Sequence, residues 1–138
     1  MLTFALEYRT AIDKFTADRK NDIRDLEMVE SEWEIVQELN DVLMVLKHAT
    51  TYFSRADSTL ADVIPVMDIV NDRLTAHAND DSLSPAIRAA LGLAKKTLNR
   101  YYSRTDDTPT YRIAMILHPK YKMDYFRDAK WEQSWMDV

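Results

Sequence analysis

The sequence predicts an all-α protein, and three observations carry that expectation. One glycine, Gly92, and four prolines stand among 138 residues, too few for the turns a hairpin-rich β fold requires. Apolar residues recur at intervals of three and four along most of the chain, the spacing of one helix face. Capping residues followed by proline, at Ser84-Pro85 and Thr108-Pro109, mark helix starts. With 46% of residues apolar and 30% charged, the chain has material for one core. The expected architecture is a single helical domain over 1–138, five to seven helices in an irregular bundle or array.

The first helix is expected from Leu2 to about Ala17, with Ala5, Tyr8, Ile12 and Phe15 along one face. Asp18 to Glu27 is polar and reads as a loop with at most a short turn. The clearest helix follows, where Ile35, Leu39, Val42, Leu46, Ala49 and Phe53 repeat at four and three. Trp33, Val36, Leu43 and Val45 widen that face, so the helix should pack on two or more neighbours. Glu30, Glu32 and Glu34 load its positive dipole end, and Ser31 with Glu34 has the capping-box spacing. Ser54 to Ser58 breaks the pattern.

Ser58 or Thr59 then caps a helix carrying Leu60, Val63, Ile64, Met67, Val70 and Leu74. Pro65 lies inside it and demands a kink or a short preceding turn. Beyond the polar connector Asn79-Asp80-Asp81-Ser82, the Ser84 helix places Ile87, Leu91, Ala94, Leu98 and Tyr101 on one face. Gly92 within it costs about 1 kcal/mol relative to alanine or admits a close backbone. From Tyr111 to Leu117 a short helix is expected, a short extended segment being the alternative, and it stops at His118-Pro119 because proline pushes the preceding residue out of the α region. The tail carries Tyr121, Tyr125, Phe126, Trp131 and Trp135 and reads as two helical pieces.

Several function classes drop out at once. The glycine count excludes dinucleotide and P-loop motifs. The absence of cysteine removes disulfides, thiolate metal sites and thiol nucleophiles and favours a reducing compartment. No apolar run approaches a membrane span, and no secretory signal follows Met1. His48, His77 and His118 have no zinc-site spacing. Asp80-Asp81 and Asp106-Asp107 sit in loops, where adjacent aspartates suit turns. No serine has a nucleophile-elbow context. No cofactor, metal or small-molecule substrate is expected, and nothing in these residues argues for an enzyme.

The charge is unevenly placed. Residues 1–81 carry eight Lys/Arg against seventeen Asp/Glu, and residues 82–138 carry ten against six, which together give the net −5. Arg88, Lys96, Arg100 and Arg104 recur at multiples of four along the Ser84 helix, with Lys95 beside them, and Lys120 and Lys122 extend the excess. Eight of the fourteen aromatic residues fall between Tyr101 and Trp135. Basic residues interleaved with aromatics can track a phosphate backbone and stack on unpaired bases. These seven basic residues are therefore the candidate DNA-backbone contacts. A solvated face with aromatic core residues beneath it explains the same pattern.

Five segments in order carry a family resemblance: SEWEIVQELNDVLMVLKHATTYFS (31–54), TLADVIPVMDIVNDRL (59–74), SPAIRAALGLAKKTLNRYYS (84–103), YRIAMILHPKYKMDYF (111–126) and WEQSW (131–135). The Trp-x-x-x-x-x-Leu start, the Ala-Thr-x-x-x-Ser helix end and the Trp-x-x-x-Trp tail resemble the middle of hAT-superfamily transposases of the fungal type. The resemblance implies a plan with a zinc-binding BED finger, a dimerisation region and an RNase H-like core carrying a large helical insertion. The chain matches the insertion. The family's catalytic aspartates would lie before Met1 and its glutamate beyond Val138, so no catalytic residue is carried over. His118 stands where the family has an aspartate.

The implied protein is thus a noncatalytic helical fragment, nuclear, with DNA, a second copy or a full-length transposase as partners. A helical protein-interaction or self-association module without a nucleic-acid role is the alternative.

Overall fold

The computed structural model describes residues 1–131, in which seven α-helices and no strand occur. They are α1 (Leu2–Glu7), α2 (Arg9–Ala17), α3 (Glu30–Phe53), α4 (Val63–Ala78), α5 (Pro85–Tyr102), α6 (Thr110–Leu117) and α7 (Asp124–Asp128). Single 3-10 turns at Arg19–Asn21, Arg24–Leu26, Leu60–Asp62 and Ser103–Thr105 link them. The all-α expectation holds, and 111–117 is helical rather than extended.

The centre is a three-helix core. Val42 of α3, Val70 and Leu74 of α4, and Ile87 and Leu91 of α5 are buried together, with Leu39, Val45, Ala49, Ala94 and Leu98 around them. The four-and-three spacing of these residues is what lets three helices share one apolar seam. Ser84 starts α5 as its sequence indicates: its Oγ accepts the Ile87 N–H at 3.4 Å, and Pro85 occupies the first turn. The Glu38 carboxylate takes the Ser84 N–H at 3.0 and 3.1 Å, tying the start of α5 to α3.

A second apolar cluster covers the N-terminal end of α4. Ala61, Ile64, Met115, Tyr121 and Phe126 are buried there, with Tyr102, Tyr111, Tyr125 and Trp131 packed against them. Trp131 meets Phe126 edge-on at 5.1 Å between centroids, so it is a packing residue. Trp135 lies outside the described residues. Pro65 is the third residue of α4, where its missing N–H breaks no helical bond. The expected preceding turn is Leu60–Asp62.

Four expectations need correction. The first helix breaks at Tyr8, whose φ of −99° and ψ of 15° depart from helical values. Its inward face is not the one set by Tyr8 and Phe15, which are exposed; Thr16 is buried instead, its Oγ bonded to the Ile12 and Asp13 carbonyls. Polar contacts orient that face: Trp33 Nε1 donates to Asp13 at 3.0 Å, and the Arg9 guanidinium lies 5.3 Å from the Trp33 ring centre. Second, the cap of α3 is at Val29 rather than Ser31, because the Glu32 carboxylate reaches back to the Val29 N–H at 2.9 Å.

Third, Gly92 admits no close backbone. A methyl group there would meet nothing within 4 Å. Fourth, Tyr101 faces outward, and Tyr102 takes the inward place.

Candidate nucleic-acid interface

Helix α5 carries four basic residues and no acidic one. Its inward side is fixed by Ile87 and Leu91, so the opposite side must face water. Each step of four residues turns about 40° around the axis; Arg88 to Arg100 is three such steps, and Arg104 follows in the Ser103–Thr105 turn. The basic series therefore winds around the helix instead of forming one row. Arg88 and Lys95 fall on the half-buried flank, while Lys96, Arg100 and Arg104 are exposed.

The environments differ accordingly. Arg88 is ion-paired with Asp81 at 2.5 Å, and its Nε is buried without a partner. None of Lys95, Lys96, Arg100 and Arg104 forms an ion pair with a described residue. The guanidinium carbons of Arg100 and Arg104 lie 5.3 and 5.8 Å from the Tyr101 ring centre. Tyr101 itself is 54% exposed. Lys96, Arg100, Tyr101 and Arg104 thus make one exposed basic and aromatic face at the C-terminal end of α5.

Lys120 and Lys122 sit elsewhere, in the turn between α6 and α7. Lys120 lies over the Tyr121 ring at 4.9 Å. It lines a groove of about 800 Å³ formed by α3, α4 and residues 120–125, to which α5 contributes nothing. Lys122 is exposed with a φ of 49°. The structure does not unite the seven candidates in a single row; it joins Lys96, Arg100 and Arg104 and separates the others.

Asp68, Tyr121 and Tyr125, which line that groove, take part in aspartate–tyrosine ties. Asp62, 5% exposed, accepts the Thr59 N–H at 2.9 Å, the Thr59 hydroxyl at 2.8 Å and the Tyr121 hydroxyl at 2.6 Å. Burial opposes its ionisation, but the bonds from Tyr121 and Thr59 outweigh that cost and hold the carboxyl at about 2. Asp68 accepts the Tyr102 hydroxyl at 2.8 Å and also that of Tyr125. Burial first, and the facing carboxylates second, push Tyr102, Tyr121 and Tyr125 well above the ordinary phenol range. Neutral phenols donating to ionised carboxylates form strong bonds, so Tyr121 and Tyr125 fasten the 119–126 segment to α4 and the turn before it, and Tyr102 ties the end of α5 to α4.

Sequence reading missed these ties. Thr59 and Asp62, three apart, have capping-box spacing and signalled one of them; nothing local pointed to Asp68. The histidines show no shared site. His48 and His77 line the groove, the latter 2.7 Å from the Arg73 carbonyl, and His118 stacks near Tyr121 while accepting the Lys120 N–H at 3.2 Å. Among the described residues no cluster of three His, Asp or Glu side chains is placed to hold a metal ion. Nor is any described helix long and apolar enough to cross a membrane.

Among known proteins, the chain is similar to human zinc finger BED domain-containing protein 4, with 27% identity over 138 residues. That match takes in all of this chain and 11% of the human protein. The relation is distant. No protein-family model matches the chain, and no solved structure does.

The arrangement of α5 suits one kind of chemistry. Exposed cations without carboxylate partners attract a polyanion, and the attraction is electrostatic and weakened by salt. Asp80 and Asp81 bear on this only at the far end of α5. Asp80 is a turn former, held below the usual carboxylate range by the Ser82 hydroxyl and N–H, and Asp81 neutralises Arg88.

Proposed function

We propose that this chain is a noncatalytic helical module of hAT-transposase origin that touches DNA through its α5 face. The observation that carries the reading is the exposed group formed by Lys96 and Arg100, on a helix without acidic residues, and Arg104 in the turn that follows it. The ordered hAT-like segments support the origin. So does the distant human relative, whose name includes the BED zinc finger that the hAT plan also contains. On this reading the chain is one helical domain, works in the nucleus and leaves the cutting and joining of DNA to polypeptide outside it.

Equilibrium binding of fluorescent oligonucleotides by the full chain tests this. Binding is expected at low salt and should weaken as salt rises. The combined charge reversals Lys96→Glu, Arg100→Glu and Arg104→Glu should abolish it. Absence of binding at low salt, or binding indifferent to these reversals, removes the DNA contact. Incubation with Mg²⁺ or Mn²⁺ and a hairpin-end substrate should give no turnover, since metal-assisted phosphoryl chemistry needs clustered carboxylates.

A second reading, self-association, is favoured by a separate observation. Phe4, Phe15, Leu26 and Val29, all within the first 29 residues, are each about 60% exposed, and exposed apolar surface promotes contact. Concentration-dependent association that survives high salt, seen by sedimentation, is its expected signature. A strictly monomeric species rejects it.

A further inference from the structure

We infer that Tyr101 is a stacking platform for an unpaired DNA base, so that the α5 face takes single-stranded DNA in preference to intact duplex. The inference rests on the backbone-contact reading of the same face and adds the substrate class. Three features of the structure lead to it.

First, the ring is free of any core duty. Tyr102 fills the inward position and bonds Asp68, while Tyr101 is 54% exposed and has no hydrogen bond to another described residue. An aromatic ring left in water is a large apolar surface without a partner, and every base has a face that can cover it.

Second, two guanidinium groups lie within 6 Å of the ring centre. Each is within reach of the ring and of water, so a base arriving on the ring can displace a guanidinium onto its own flanking phosphate. Stacking and charge neutralisation then occur at adjacent atoms of one nucleotide. A paired base inside a duplex presents only its edge and cannot stack on a side chain in this way.

Third, the approach along α5 is low. Between Lys96 and Arg104 the exposed residues besides Arg100 and Tyr101 are Thr97, Asn99 and Ser103, all small or polar. A strand can therefore run from Lys96 to Arg104 close to the helix surface. Asp106 and Asp107 follow Arg104 and set the end of that path, because their charges repel phosphate.

The test uses the full chain and three labelled probes of equal length: a single strand, the same strand with an abasic site at its centre flanked by abasic neighbours, and the duplex. Wild type is expected to bind the intact single strand about tenfold more tightly than the abasic strand, the size of one base stacked on an aromatic ring. Tyr101→Ala should erase that difference, and Tyr101→Phe should keep it. Far-UV circular dichroism should be unchanged in both, since the ring belongs to neither buried apolar cluster.

Equal affinity for intact and abasic strands, or an intact preference in Tyr101→Ala, overturns the stacking inference while salt-sensitive binding preserves the backbone reading. Failure of all three probes to bind overturns both.

Discussion

Asp62 is buried, charged and bonded to three donors, and replacing it by asparagine isolates how much the aspartate–tyrosine ties contribute to the fold. Its carboxyl lies at about 2 against an ordinary 3.8. One pKa unit is worth 1.36 kcal/mol, so the ionised form is favoured in the folded protein by about 2 kcal/mol relative to the unfolded chain. The sign follows from the direction. A depressed carboxyl stabilises fully above its unfolded value near pH 4, and that contribution is lost as the pH falls towards 2.

Asp62→Asn keeps the volume but removes the charge and turns one acceptor into a donor facing Tyr121 or Thr59. Urea unfolding monitored by tryptophan fluorescence should show a loss of about 2–3 kcal/mol at pH 7 and pH 5. The difference from wild type should shrink between pH 4 and pH 2. Comparing variant with wild type at each pH cancels other shifted groups such as Glu30 and Asp57. A difference under about 0.5 kcal/mol at pH 7, a typical surface-substitution effect, would refute the reasoning. So would a larger one that stays constant down to pH 2.

Four further substitutions probe the packing. Gly92→Ala should raise stability by about 0.5–1 kcal/mol, because the added methyl meets open space; a drop in the unfolding midpoint would contradict the described surroundings. Met115→Ala, at a fully buried side chain, should cost about 2–5 kcal/mol, whereas Leu117→Ala, 76% exposed, should stay within about 0.5 kcal/mol. Trp33→Phe removes the indole N–H that bonds Asp13; hydrogen exchange of residues 2–17 should accelerate while that of α4 and α5 stays near wild type.

What the sequence made readable was mostly local. Ser84-Pro85 announced α5 because the hydroxyl acceptor and the missing N–H are properties of those two residues alone. His118-Pro119 ended α6 for the same reason, and the His118 ψ of 128° marks the stop. The break at Tyr8 was not readable, since Glu7, Tyr8 and Arg9 all tolerate a helix; the break lets Arg9 reach Glu30 and Asp13 reach Trp33. The alternation of Glu30, Glu32 and Glu34 offers more than one capping register; the spacing pointed to Ser31 with Glu34, and the Val29 N–H selected Glu32. Tyr101 and Tyr102 stand three and four residues after Leu98, so either fits the apolar face by spacing. The Asp68 carboxylate, 34 positions upstream in the chain, decides for Tyr102.

The same distinction governs the proposed interface. Counting charges in sequence gives seven candidates, and each phosphate neutralised contributes roughly 0.9 to the salt slope of duplex binding. Seven equal contacts would produce a log–log slope of about −6. The structure makes them unequal. Arg88 already has Asp81 as its counter-ion, Lys95 is half-buried, and Lys120 lies over Tyr121 in a groove that α5 does not line. With Lys96, Arg100 and Arg104 alone at the interface, the slope should be about −3. Titrating binding of the duplex probe against salt from low to physiological concentration reads that number directly, and the single strand, at roughly 0.7 per phosphate, should give about −2. A value near −6 would put Arg88 and the turn lysines back in contact with phosphate, which requires breaking the Arg88–Asp81 pair and bending the strand around to the α6–α7 turn.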